Sequence, residues 1–378
     1  MSNPVVSILR GRETDPAIFK YCRTLSNQNY EVKLLIWNRR SSLYNPGLQT
    51  EKFTIEQFCF RAPLDKFSAV FFYPVWWVYI IFFLLKEKPD IVHSCDFDTL
   101  IPAMIVKGFR KFKFVYTIFD FYANNIQDGS FLSVRNSLRK IVRTIDFWGI
   151  GSTDLLILVD ESRLEEIHGA TVKNLIIIYN TPEDQKPIHD IKIPKSHTHV
   201  SIFFAGLLMH IRGITDIIKA VSDLPDVQLT LAGPLIDTDI LEATAPYPDR
   251  IKYIGWIPSY QEVLDRTFDS DILIRLSDPK HPKTRYESPN KLFEAMMCQK
   301  PIIVSDKSAM ATIVRQNICG IVVPYGDVRA IKEAIIQLST DFHLRQELGK
   351  NGRYAYDHTY SWTIMEQRLV SAYNTLHS

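Results

Sequence analysis

Short apolar runs alternate with amphipathic stretches of helical spacing along most of the chain. In the first half, the runs at 5–9, 32–37, 90–94, 112–118, 155–159 and 175–179 predict strands. The stretches at 16–26, 99–108, 131–148 and 161–168 predict helices. A second series starts at 200–204 and continues with strands at 227–232, 251–254, 272–276, 301–304 and 320–323, with helices between. Helices are also expected from Asp327 to Leu338 and from Asp341 to Tyr356. A last helix from Ser361 to Leu376 sets Ile364, Leu369, Tyr373 and Leu376 on or near one face. Such alternation predicts an α/β fold with parallel, doubly wound sheets. The stretch 180–199 is turn-rich, strandless and carries Pro182, Pro187 and Pro194. The expected organisation is a Rossmann-like domain at 1–185, a linker at 186–199, a second Rossmann-like domain at 200–356, and a C-terminal helix at 357–378.

Composition agrees with two globular domains. A chain of 378 residues exceeds one ordinary core, and 46% hydrophobic with 23% charged residues are globular values. A net charge of +2 gives no electrostatic case for nucleic acid. Cys22, Cys59, Cys95, Cys298 and Cys319 are widely spaced, with no CxxC, so neither a zinc site nor a disulfide framework is indicated. With a first segment that lacks signal-peptide architecture, this predicts a cytoplasmic location.

One segment departs from the pattern. Residues 68–85 contain 18 positions without a charge, between Lys66 and Lys86. Three placements fit that composition: a buried helix, a membrane span, or an interfacial helix whose Trp76, Trp77, Tyr73 and Tyr79 sit at headgroup level. Pro74 and the charged turn after Lys86 count against a span. Downstream, eight basic residues between Lys107 and Arg143 face only Asp120 and Asp128, and Arg135, Arg139 and Arg143 recur on one helix face. A solvated face explains such a stripe, as does anionic lipid or a pyrophosphate-linked acceptor. The two features together lead us to expect peripheral contact with the inner face of the cell membrane.

The candidate chemistry centres on 285–306, RYESPNKLFEAMMCQKPIIVSD. Ser288-Pro289 supplies a helix N-cap followed by Pro at the first helical position. The free amides there, with Asn290 and Lys291, suit a phosphate. Glu294, one turn on, can accept hydrogen bonds from sugar hydroxyls. A nucleoside diphosphate with its ribose over Glu294 satisfies both. The stretch resembles the donor motif of retaining glycosyltransferases with the GT-B fold, family 4 (group 1) type, in the variant Ser-Pro-x-Lys-Leu-x-Glu, which includes Leu292. Glu294 matches the second Glu of the family's Glu-x7-Glu pattern. The first falls on Tyr286, with Glu287 one residue late, which leaves open the group that holds the donor sugar; Glu287 is carried as a catalytic candidate.

The resemblance extends to other motifs. The turn at 205–213, AGLLMHIRG, looks like the family's Gly-Arg-Leu-x-x-x-Lys-Gly, with Gly206 in place, Arg212 matching the Lys, and Leu207 replacing the Arg. Lys291 or the loop 280–285 is expected to make up the missing charge. Residues 253–258 match the segment that packs around the nucleobase, through Trp256 or the Ile257 backbone. In the first half, Gly11 lies in the loop after the first strand, and Asp120 with Tyr122 matches a further segment in which Phe119 stands where the family often has His. Asp120 is the candidate to orient the acceptor. His93 at a strand end reads as structural. Three Asp-x-Asp strings (96–98, 237–239 and 269–271) are within chance, and no catalytic metal is expected. The resemblance implies two doubly wound domains facing across a cleft, with the last helix packing on the N-terminal domain. It also implies a metal-independent sugar transfer, with a nucleoside diphosphate-sugar as co-substrate and no further cofactor. A lipid-linked or cell-surface glycan precursor is the expected acceptor. An epimerase or hydrolase on the same fold, or a non-catalytic sugar-nucleotide-binding protein, are the alternatives.

Overall fold

The computed structural model describes residues 3–12, 16–40, 52–63, 66–125, 132–185, 199–281, 284, 286 and 290–377. The chain divides into two compact units, Met1–Tyr179 with Met365–Ser378, and Asn180–Ile364. The expected linker at 186–199 lies, except for His199, outside the described residues.

Among the described residues the first unit holds β1 (Val5–Arg10), β2 (Glu31–Asn38), β3 (Thr54–Cys59), β4 (Ile91–Cys95), β5 (Lys113–Ile118), β6 (Leu155–Leu158) and β7 (Leu175–Ile177). They form one parallel sheet in the order β3-β2-β1-β4-β5-β6-β7. Its central strands are buried on both faces, which is why they read as continuous apolar runs. Helices Tyr73–Glu87, Phe97–Lys107 and Leu132–Ser152 share one core with the strands. Helix Pro16–Asn27 and the terminal helix Trp362–His377 meet through Thr24, whose hydroxyl donates to Glu366 at 3.0 Å.

The second unit holds β8 (Val200–Ala205), β9 (Val227–Ala232), β10 (Ile251–Tyr253), β11 (Ile272–Arg275), β12 (Ile302–Ser305) and β13 (Gly320–Val323). These pair in parallel in the order β10-β9-β8-β11-β12-β13. Helix Ile214–Val221 buries Ile214, Ile217, Ile218 and Val221 against this sheet, the spacing that makes it amphipathic. Asp327 and Asp341 cap helices Val328–Thr340 and Phe342–Ala355 through the amides of Ala330 and Leu344, both at 2.9 Å.

Three elements differ from the expected pattern. Strand β3 was not anticipated: it is an edge strand with a half-buried, mixed sequence, TIEQFC, and lacks an apolar run. The helix expected at 161–168 is a short turn, Glu161–Glu165, capped by Asp160. The apolar segment is not one α-helix: a 3-10 turn, Val70–Phe72, precedes the main helix, whose start is marked by Pro74. That proline lies in the first turn of Tyr73–Glu87, where a missing N–H costs nothing.

Candidate functional site

Sheet order reverses between β8 and β11 in the second unit. The carboxyl ends of such strands leave a crevice where ligands bind in open α/β sheets. Gly206 leaves β8 there, its N–H donating to the Ala232 carbonyl at 2.9 Å. Gly233, at φ +124°, passes so close that a Cβ on it would stand 2.0 Å from the Gly206 oxygen. Gly213, at φ +63°, ends the turn His210–Arg212 and begins the next helix. Arg212 is thereby held at 8% exposure, its Nη1 donating to Ser277 Oγ at 3.5 Å. Burial pulls its pKa down to about 10.

Arg275, which the sequence reading passed over, closes β11 at 5% exposure. Its guanidinium lies 5.7 Å from the Phe204 ring centroid. A Cβ on Gly206 would stand 3.1 Å from Arg275 Nη1. Burial first, and then repulsion from Arg212, pushes its pKa well down, against the attraction of Glu294. The available signal was a charge ending an otherwise apolar strand, ILIR.

Glu294, on helix Asn290–Met297, is 1% exposed. Its Oε2 accepts from Lys291 Nζ at 2.5 Å and its Oε1 from the Tyr260 hydroxyl at 3.1 Å. Lys291 is thus engaged by the carboxylate, and Tyr260 is a second partner that the sequence did not announce. Asn290 opens the helix and is half-buried. Leu292 is buried, so its side chain packs inside the unit and leaves only backbone for a ligand. Glu287, Ser288 and Pro289 lie outside the described residues. Trp256 is 66% exposed after Gly255 at φ +76°, whereas Ile257 is buried.

The first unit reverses its sheet order between β1 and β4. Arg10 Nη1, at the end of β1, pairs with Asp96 at 2.5 Å, and its guanidinium stacks 4.5 Å over the Phe119 ring. The other Asp96 oxygen accepts from the amides of Phe119 at 2.8 Å and Asp120 at 3.1 Å. Asp96 itself sits at φ +65°, an uncommon conformation for a side-chain-bearing residue. Gly11 has a steric reason: a Cβ there would fall 1.4 Å from Asp98 Oδ2. The Asp120 side chain is 52% exposed and meets Arg163 at 3.3 Å. His93 is buried between the Thr117 hydroxyl at 2.6 Å and the Tyr373 hydroxyl at 2.7 Å. Burial pulls its pKa down to about 3, so it is neutral and structural. Of the Asp-x-Asp carboxylates, Asp237 and Asp239 hold His210, and Asp271 caps Ser201 at 2.8 Å.

Two doubly wound parallel sheets in one chain, each with such a switch point, define the GT-B class. Solved structures match nearly the whole chain. Sucrose-phosphate synthase from Thermosynechococcus elongatus has a TM-score of 0.78 at 16% identity, covering 99% of both chains. Anabaena HepE, in complex with UDP, has a TM-score of 0.76 at 13% identity, covering 98% of this chain and 100% of its own. Residues 199–341 match the family model for glycosyl transferases group 1. A GDP-mannose-dependent monoacylated alpha-(1-6)-phosphatidylinositol monomannoside mannosyltransferase from Corynebacterium glutamicum is 25% identical over 197 residues, 50% of this chain and 51% of that protein. The chain spans about half the length, or less, of the curated relatives it matches. The match to the group 1 glycosyl transferase model thus falls on the second unit, and the whole chain has the GT-B fold of these solved structures.

Proposed function

We propose that this protein is a retaining, metal-independent glycosyltransferase that moves a sugar from a nucleoside diphosphate-sugar to a lipid-linked or cell-surface glycan precursor. The observation that carries the reading is a buried Arg212 at the switch point of the second unit, bonded to Ser277 just past β11, with the buried carboxylate of Glu294 on a helix that packs on the same strand. A cation for phosphate and a buried carboxylate for ribose hydroxyls are what a nucleoside diphosphate needs. The UDP in the HepE structure and the GDP-mannose and glycolipid named for the Corynebacterium enzyme support the substrate classes. In this reading the ribose hydroxyls donate to Glu294 in place of the Lys291 ammonium, which turns to the phosphates. The bond from anomeric carbon to phosphate oxygen breaks as the acceptor oxygen bonds to the same face, and the acceptor proton passes to a leaving-phosphate oxygen. Arg212 and the amides before Lys291 stabilise the departing charge. Asp120 and Gly11 serve the acceptor.

A peripheral, cytoplasmic position at the inner face of a membrane belongs to the same proposal. Val70–Glu87 is apolar and long enough for a span by length and composition, yet its Tyr73, Trp76, Ile80 and Phe83 lie in the first unit's core. Phe71, Val75, Val78, Phe82 and Leu85 recur at helical spacing on its outer side and are exposed. On helices Tyr73–Glu87, Phe97–Lys107 and Leu132–Ser152, Lys86 and Lys140 are exposed, as is Lys111 in the loop after the second, whereas Asp98 and Asp146 are buried and Glu87 pairs with Lys33. That balance favours anionic lipid. The basic stripe is weaker than its spacing promised, because Arg143 donates to the Glu166 carbonyl at 2.6 Å.

The test is a thermal-shift screen with UDP-, GDP-, ADP- and CMP-sugars, since a donor that binds the folded state raises the melting temperature. One donor class should do so, and Glu294→Ala should abolish the rise. No shift with any donor removes the reading. Product NMR should show the donor's anomeric configuration retained, and turnover should persist in EDTA.

A further inference from the structure

We propose that Arg275 is a diphosphate-binding residue, supplying from the end of β11 the guanidinium that the turn after β8 lacks at Leu207. The inference rests on the donor-site reading above. Leu207 occupies the position where the group 1 motif has Arg, and its side chain is 42% exposed. The guanidinium of Arg275 comes to the same turn from the neighbouring strand, beside Gly206, where a larger residue would crowd it. Arg212 reaches this strand exit too, through Ser277, two residues past Arg275. Two buried guanidinium groups therefore converge at a single switch point.

Such an arrangement is costly in the empty protein. Arg stays protonated in proteins, burial of a charge is unfavourable, and the two cations repel. Glu294 offsets part of this, but it is shared with Lys291. A ligand with two adjacent anionic groups relieves the repulsion, and one with a single group relieves less of it. The site should therefore prefer a nucleoside diphosphate over the monophosphate, with Arg275 responsible for much of that preference. A packing role makes the opposite prediction, because removing a structural Arg loosens the ligand-free unit.

Calorimetric titration of UDP, GDP and ADP, and of their monophosphates, separates these roles in wild type, Arg275→Leu, Arg275→Lys and Arg275→Leu with Leu207→Arg. Arg275→Leu should lose about tenfold or more for the diphosphate that wild type binds and less than about threefold for its monophosphate. Its ligand-free melting temperature should be equal to or above wild type. Leu207→Arg should restore most of the diphosphate affinity. Equal losses for both nucleotides, or no rescue, would overturn the assignment. If Arg275→Leu does not fold, Arg275→Lys decides: a weakened preference for diphosphate supports the role, and an unchanged one refutes it. Wild type that binds none of the three diphosphates refutes the donor-site reading itself, which distinguishes the two failures.

Discussion

The hydroxyl of Tyr373 lies 2.7 Å from Nδ1 of His93, so the last helix of the chain is hydrogen-bonded to the central strand β4 of the first unit. Both groups are fully buried, and the Thr117 hydroxyl takes the other ring nitrogen. Tyr373→Phe leaves that imidazole nitrogen without its partner. We expect a loss of about 1–3 kcal/mol, read as a lower urea midpoint for the first unit. Unchanged stability would show that the helix is held by apolar packing alone.

His93 also sets a pH dependence. Its folded pKa, about 3, lies below the unfolded value of 6.5, so the unfolded chain binds the extra proton between these values. Stability should fall as pH drops from 6.5 toward 3, by at most about 1.4 kcal/mol per pH unit.

Asp146 slopes the other way. Burial raises its pKa to about 7, against the hydrogen bond from Tyr116. Its folded form keeps a proton that the unfolded chain releases above 3.8, so stability should fall as pH rises from 3.8 to 7. Asp146→Asn should raise the melting temperature at pH 8 and leave it nearly unchanged at pH 3. A uniform shift at both would rule out the titration.

Gly233 cannot take a side chain. With a Cβ 2.0 Å from the Gly206 oxygen and φ at +124°, Gly233→Ala must displace the turn that carries Arg212. A cost of about 2 kcal/mol or more is expected, together with loss of nucleotide binding. Calorimetry and titration of the same sample would show whether the two losses coincide.

The exposed stripe can be tested without disturbing the core. Val78 and Phe82 point outward, whereas Trp76, Ile80 and Phe83 are buried. Val78→Asp with Phe82→Asp should preserve the melting temperature and nucleotide binding, yet cut partition onto anionic phosphatidylglycerol vesicles at least about tenfold. Equal partition of variant and wild type would exclude this face as the contact.

Much of the fold was legible because a parallel sheet buried on both faces writes its strands as apolar runs, and helix caps write their own starts. Strand β3 was not, since an edge strand with a half-buried face carries no such run. The apolar stretch at 68–85 left core and interface open, because a helix that is apolar all round does not say which side meets the sheet. Packing decided which side meets the sheet: Trp76 stacks on Trp37 at 5.6 Å between centroids, and Val78 faces out.

The same division holds at the candidate site. Local order determined Gly206, Arg212 and Glu294, since a strand-to-helix turn and a helix start are built from neighbours in the chain. Only the tertiary structure brought Arg275 to Gly206, Tyr260 to Glu294 and Tyr373 to His93, because each pair joins separate elements. A charge that looks like a chance interruption of β11 becomes part of a cationic pair only when β8 and β11 lie side by side.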